Sequence, residues 1–492
     1  MSKQPILHLH PITIAINFVK QIKSFLIPML IIVFSRGIHF TINPKNENFY
    51  PSLITAGATL FFLFILLLIS FIQWRKFVYW FEEGELRIED GLFIKKKRYI
   101  PFERIQTLNY KEGILHRPFK LVKVEIETAG DNAGDAEAVL TAVSKEQAKQ
   151  VEIEMKKSTQ KNNGYAVDEN DEIFEIPEVE KKRIYTMSKK DLVLLATTSS
   201  SMGILFSGLA AIASQFNDLI PYEEIYGEVK NIVRFGIFFI IILVLVVILL
   251  SWLVAIAISF IVNYDFRLEK QEQKLFISKG LLEKKSITLP MQRIQGIRIV
   301  ENPIRQIFGY CRVVLDSAGS SGDEKEDNVV ILPFIKKKQA IVILEELFPR
   351  YEWDLPIKKV PRKALLRYLL KPVYFLVIPL VATSYFLFPY GVLSLLFVPI
   401  FVLWAYWKYR TAGFALGKLQ LLLIYRGISR VTFVTTKNKI QSMTLKQSYF
   451  AERKDIASIQ MDIMSSDSGF TGYAKHFDLE DMQEMMEWYK PN

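Results

Sequence analysis

Residues 275–295 read LFISKGLLEKKSITLPMQRIQ, and the same frame occurs twice more, as LRIEDGLFIKKKRYIPFERIQ at 86–106 and LLLIYRGISRVTFVTTKNKIQ at 421–441. In each copy an apolar run meets a glycine, basic residues follow, and an Ile-Gln closes the frame. The glycine-to-isoleucine spacing is 14 for Gly91 and Ile105, 14 for Gly280 and Ile294, and 13 for Gly427 and Ile440. Ala129-Gly130 and Ala318-Gly319 both end 25 residues past their isoleucine. The third copy lacks that pair and has no counterpart of Pro101 and Pro290. Triplication in one frame organises the chain more firmly than any single motif.

Outward from the frame, each copy reads as antiparallel β structure. Alternation at Leu86 and Ile88, at Val122, Val124 and Ile126, through Arg312–Leu315, and at Ile459, Met461 and Ile463 is bounded by Gly, Asp or Asn turns. A last strand then runs into a helix. Ala138–Val143 precedes Ser144, which with Gln147 makes a capping box for a helix to about Lys157. Val329–Leu332 leads to a helix near Lys336–Phe348, and Asp478 opens a helix carrying Met482, Met485, Met486 and Trp488. Some seven short strands with one amphipathic helix predict a small β-barrel capped at one end.

Between the copies lie apolar stretches. Ile54–Ile72 and Phe235–Val262 carry no charge and are long enough to cross a hydrocarbon core of about 30 Å. Leu192–Phe216, Val373–Pro389 and Val392–Trp407 are three more, and Ser24–Ile42 is a sixth, with Arg36 and His39 near its outer end. Six spans in three hairpins follow. Lys20, Lys23, Arg75, Lys76, Lys181–Arg183, Lys189, Lys190, Arg362, Lys363, Arg367, Lys371, Lys408 and Arg410 flank the hairpins, while the loops inside them are poor in Lys and Arg. The positive-inside bias therefore predicts cytoplasmic termini and modules. The N-terminal MSKQPILHLHP reads as lacking a cleavable signal peptide.

Composition agrees with a membrane protein. The 492 residues are 50% hydrophobic, mean hydropathy is +0.19, and net charge is +11. The basic excess follows the membrane flanks, which attraction to anionic lipid explains without nucleic acid. The single cysteine, Cys311, excludes a disulfide framework and any cysteine-based metal site.

The order Leu9-His10-Pro11, a basic amphipathic stretch, two membrane helices, then a β module with Gly-[Leu/Ile] and Arg-Ile-Gln resembles bacterial membrane proteins with pleckstrin-homology-like (PH-like) domains of the second bacterial type. Three tandem hairpin-plus-module units look like the YdbT-like group of Gram-positive bacteria. The resemblance implies a PH-like barrel for each module. The fold expected is α plus β, with six transmembrane helices in three hairpins, each followed by a cytoplasmic PH-like β-barrel capped by a C-terminal helix. The boundaries are hairpin 1 within 1–73, module 1 at 74–157, a charged linker at 158–190, hairpin 2 at 191–262, module 2 at 263–350, a basic juxtamembrane segment at 351–372, hairpin 3 at 373–408 and module 3 at 409–492.

No catalytic, cofactor or metal signature occurs, and His8-x-His10 lacks the further ligands a metal needs. Lys95, Lys96, Lys97 and Arg98 recur as Lys284 and Lys285, and more loosely as Arg426 and Arg430. These clusters are candidates for anionic lipid, where each cation near the surface gains about 1 kcal/mol; a solvated turn is the alternative. Lys363 and Arg367 lie together on an interfacial helix over Arg362–Lys371, opposite Leu365, Leu366, Leu369 and Leu370. Ser199, Gly203, Ser207 and Ala211 form a small-residue stripe for helix packing. A non-catalytic scaffold is the expected function, binding a protein partner, anionic lipid or both; a transporter or lipid-handling component is the alternative. Spans two to six have no central ionisable residue, which favours the scaffold. The resemblance implies a smaller PH-like membrane protein as partner in a hetero-complex, and a role in envelope maintenance or antimicrobial tolerance.

Overall fold

The computed structural model describes residues 6–35, 49–82, 84–128, 137–162, 181–198, 242, 245–318, 328–386, 390–464 and 470–490. The small-residue stripe from Ser199, most of the third expected span, and the Ala129-Gly130 and Gly319 markers lie outside them.

Three units follow one plan. The first comprises β1 (Leu7–His8), α1 (Ile12–Ser35), α2 (Phe49–Lys76), β2 (Val78–Glu82), β3 (Glu85–Asp90), β4 (Lys96–Pro101), β5 (Ile105–Glu112), β6 (Leu121–Thr128), β7 (Ala138–Ser144) and α3 (Lys145–Asn162). The second has β8 (Lys182–Thr186), α4 (Lys189–Thr197), α5 (Leu245–Asn263), β9 (Arg267–Gln271), β10 (Lys274–Lys279), β11 (Lys284–Pro290), β12 (Ile294–Glu301), β13 (Tyr310–Ser317), β14 (Asn328–Lys336) and α6 (Lys337–Leu347). The third has β15 (Lys358–Lys359), α7 (Leu365–Phe386), α8 (Phe397–Thr411), β16 (Gly413–Leu416), β17 (Gln420–Arg426), β18 (Arg430–Thr436), β19 (Ile440–Lys446), β20 (Ile456–Ile463), β21 (Phe470–Asp478) and α9 (Leu479–Tyr489). A strand before each hairpin thus joins the sheet that follows it. Lys182–Thr186 is such a strand, inside the stretch expected to be charged linker.

Each unit encloses one core between a four-stranded and a three-stranded antiparallel array. Ile105, Ile294 and Ile440 are buried in these cores, at the equivalent position in all three. The capping box forms: Gln147 N donates to Ser144 Oγ (3.1 Å) and Ser144 N donates to Gln147 Oε1 (3.0 Å). Ala148 and Val151 on α3, Ala340 and Leu344 on α6, and Met482 and Met485 on α9 close the respective cores.

The strands do not close into a barrel within a unit. Sheet order is β1-β2-β3-β4, then β7-β6-β5-β11-β10-β9-β8, then β14-β13-β12-β18-β17-β16-β15, then β19-β20-β21. The three-stranded array of one unit continues into the four-stranded array of the next. The second junction shares its sheet between two cores: Leu421 and Leu423 pack in the third unit, Leu422 and Ile424 in the second. Burial on both faces explains why 421–424 is unbroken Leu-Leu-Leu-Ile, whereas Leu86 and Ile88 of β3 alternate with polar residues.

Among the described residues three helices are long and apolar enough to cross a membrane: Leu53–Lys76, Leu245–Asn263 and Arg362–Phe386. The six expected spans are therefore matched by three here. At the start of the third expected span, Leu192, Leu195 and Ala196 are buried on α4, the two leucines in the core of the second unit. The sixth begins as a 3₁₀ segment, Tyr390–Leu396, before α8. An added Cβ on Gly391 would lie 2.0 Å from Thr383 O, so glycine permits the close approach of α7 to this segment.

Candidate membrane-facing surface

Each unit touches the helices that accompany its sheet with two loops. The first is the tip between the third and fourth strands. Lys76 Nζ, at the end of α2, donates to Leu92 O (2.6 Å). In the second unit Gly280 N donates to Tyr264 O (2.8 Å) and Leu281 N to Ile261 O (2.9 Å), fastening the tip to the end of α5. In the third, Trp404 Nε1 on α8 donates to Gly427 O (3.1 Å), and Arg426 Nε donates to Thr411 Oγ1 (3.0 Å). The tips carry outward apolar side chains: Phe93 is 95% exposed, Ile94 75% and Ile428 74%, and Leu282 is exposed as well.

The second loop follows the first strand of each three-stranded array and sits at the base of the incoming helix. His10 Nδ1 accepts from Ile12 N (3.2 Å) at the start of α1, and its ring lies 5.6 Å from Phe119. Arg305 Nε donates to Thr198 Oγ1 (3.0 Å), and its guanidinium reaches Leu195 O and Thr198 O (both 3.5 Å) at the end of α4. Burial pulls the Arg305 pKa down to about 10, with Arg312 adding repulsion. Arg367 Nη1 on α7 donates to Ser448 Oγ (3.4 Å). These loops expose Ile114 and Phe119, then Ile304, Ile307 and Phe308, then Tyr449 and Phe450. Apolar residues at turns with no core to fill were the signal for this surface in the sequence, and the repeat frame alone did not reveal it.

The basic candidates are spread along this end of the molecule. Lys95 and Lys97 share Glu89 (2.5 and 2.8 Å), and their hydrogen bonds hold its carboxyl below the usual range. Lys96 is exposed on the same strand, and Arg98 pairs with Asp90 (3.4 Å) and donates to Glu137 O (3.0 Å). Lys284 and Lys285 open β11 at the first junction, opposite Glu112 and Lys111. Lys363 binds Asp478 Oδ1 (2.6 Å) and Asp455 O (3.1 Å) in the third unit. No single pocket gathers them. On α8, Lys408 lies 3.6 Å from the Trp404 ring centroid and Arg426 3.8 Å from that of Trp407, a tryptophan–cation cluster at a helix end. Among the described residues no group of three or more His, Cys, Asp or Glu could hold a metal ion.

Residues 25–159, 226–350 and 373–492 match the family described as Bacterial PH domain, each segment taking in membrane helix as well as the β unit that follows. The chain belongs to that family. It is 33% identical over 491 residues to the UPF0699 transmembrane protein YdbT of Bacillus subtilis (strain 168), a span covering 98% of this chain and 97% of the relative. No solved structure matches it. A transmembrane relative of the same length and three described apolar helices identify a membrane protein with three PH domain repeats.

Proposed function

We propose that the protein is a non-catalytic scaffold of the cell membrane. In this reading all six spans cross the bilayer, the three PH units lie on its cytoplasmic face, and apolar tips beside basic strands touch anionic lipid. The outer surfaces hold a protein partner, a smaller PH-like membrane protein being the one the resemblance implies, in envelope maintenance or antimicrobial tolerance. The observation that supports it is the threefold fastening of an exposed apolar tip to the helix that leads into its sheet. Three repeats on one chain let weak contacts sum to useful avidity.

The lipid contact is tested with Ile94→Cys and Ile428→Cys in the full chain, labelled with an environment-sensitive fluorophore; Cys311 is buried and left in place. Blue-shifted emission, quenched by spin-labelled lipid in reconstituted bilayers, is expected. Emission matching that of an aqueous label would overturn tip insertion. Replacing Lys95, Lys96 and Lys97 by Gln should reduce enrichment of anionic lipid around the protein, and raising salt should erase the difference as the screening length falls to about 8 Å.

The orientation predicts that cysteines at the exposed positions Glu146, Gln273 and Asn438 react with a membrane-impermeant reagent only after cells are opened. Labelling of intact cells at any of them would place that unit outside.

A further inference from the structure

The units are joined twice by the same pair of strands in the same register. Lys284 stands opposite Glu112 at the first junction, and Arg430 opposite Glu301 at the second. Each cation lies ten residues before its repeat isoleucine, and each glutamate seven after. The counterparts of these strands at the two ends of the row are β4 and β19. Each is the outermost strand of its sheet, and among the described residues neither pairs on its outer side. An open edge offers a row of backbone donors and acceptors to another strand.

We propose that β4 of one copy of this chain pairs with β19 of a second copy, continuing the row of PH units head to tail. A second copy is the fitting occupant because the two halves of the twice-used junction both stand open on this chain, one at each end. The inherited register sets Lys95 opposite Gln447, Lys96 opposite Lys446, Arg98 opposite Thr444 and Tyr99 opposite Met443. Tyr99 is half-exposed here, whereas its counterpart Val434 is buried in the core of the preceding unit. Lys96 against Lys446 is a like pair, but Lys285 already faces Lys111 in the same position at the first junction.

Charge supports the match. At the first junction Arg293 Nη1 of the second unit reaches Glu127 Oε2 of the first at 3.0 Å. The corresponding residues at the open ends are Arg104, exposed, and Asp462, which lies 22 residues past Ile440 as Glu127 lies 22 past Ile105. Ser442 Oγ, Thr471 Oγ1 and Gln460 Nε2 donate to Asp462 and hold its carboxylate in place. All three tips and helix bases lie at one end of their units, so a third junction of the same kind keeps the next copy's hairpins in the same bilayer. Because two different patches meet, the contact closes into a ring or runs on as an open row. It stands whether or not the tips enter lipid.

The test oxidises membranes containing the full chain with Lys96→Cys and Lys446→Cys, both exposed positions. A ladder of disulfide-linked multimers is expected. Lys96→Cys with Ser442→Cys, four strand positions or about 13 Å out of register, should give at least fivefold less. Arg104→Asp in the in-register pair should cut the ladder by a similar factor, and Asp462→Arg added to it should restore the ladder. Monomers only, equal yields in and out of register, or a link from position 446 to a smaller single-unit protein would each overturn the proposal. So would a ladder indifferent to Arg104→Asp.

Discussion

Replacing Arg293 by alanine is expected to destabilise the joined first and second PH units by about 3–5 kcal/mol, the range for removing one partner of a buried ion pair. Glu127 is buried, and its carboxylate is satisfied by Thr107 Oγ1 (2.6 Å), Asn109 Nδ2 (2.8 Å) and Arg293 Nη1 (3.0 Å). Arg293 is the only cation among these three donors, so its loss leaves a buried charge with neutral partners. In a thermal melt of the purified protein the lowest transition should fall by about 10 °C, at roughly 2–4 °C per kcal/mol for a unit pair of this size. Adding Glu127→Gln should recover most of the loss, because the charge that needed Arg293 is then gone. A melt unchanged by Arg293→Ala would mean that the junction contributes nothing to folding.

The same pair predicts a pH dependence. Burial pushes the Glu127 carboxyl above its usual range, while hydrogen bonding from Thr107 and the charge of Arg293 pull it back. A carboxyl whose folded pKa lies above the unfolded value of about 4.3 holds more protons folded than unfolded. Its effect on stability is most favourable in acid and declines as pH rises through that window. Removing Arg293 extends the window upward. The penalty of Arg293→Ala should therefore be smaller at pH 5 than at pH 8; a penalty independent of pH would exclude Glu127 as its source.

This junction was not legible in the sequence, and the reason is physical. Edge-to-edge pairing uses backbone groups, which every residue has, so β5 and β11 carry no mark of being neighbours. The acid was concealed differently: Glu127 and Asp316 stand two residues before the Ala-Gly pairs of the first two copies, but the third copy lacks that pair, so nothing beside Asp462 marks it as their counterpart. Lys120, Gly309 and Asp455 likewise share a position and a left-handed backbone, with φ of 55°, 71° and 46°, although they have no side-chain chemistry in common. What could be read was whatever burial or a cap imposes on residue type. The repeat isoleucines, the Ser144–Gln147 capping box and the methionines of the last helix are of that kind. The apolar run at 421–424 was read only as part of the repeat frame, although an unbroken run of this kind suits a strand buried on both faces, as it is in the shared sheet. Hydropathy alone did not show that Leu192 and Leu195 pack on the second unit, because a helix packed on a β unit and the start of a membrane span are equally apolar over one or two turns.

The repeat glycines carry the second large effect, and they separate what alignment equates. Gly91 and Gly280 have φ of 125° and 112°, a region that residues with a side chain rarely adopt. An added Cβ would stand 1.9 Å from Ile94 O in the first tip and 1.9 Å from Glu283 O in the second, both backbone atoms that cannot swing aside. Gly427 occupies the same place in the alignment, but its tip is one residue shorter, its φ is not positive, and nothing lies within 4 Å of an added Cβ. Gly91→Ala and Gly280→Ala should each cost about 3 kcal/mol or more, combining backbone strain of roughly 1–3 kcal/mol with the clash. Gly427→Ala should stay within about 0.5 kcal/mol, as an unstrained surface change does. Melts of the three variants decide it, and equal losses at all three would mean that the tips share one geometry after all. The contrast reaches the membrane surface, because the first two tips hold Phe93, Ile94 and Leu282 in place through that strained turn. The third is held differently, by Trp404 and Thr411 of α8, which bond Gly427 O and Arg426 Nε, so labels at Ile94 should lose their lipid quenching in Gly91→Ala while labels at Ile428 keep theirs in Gly427→Ala.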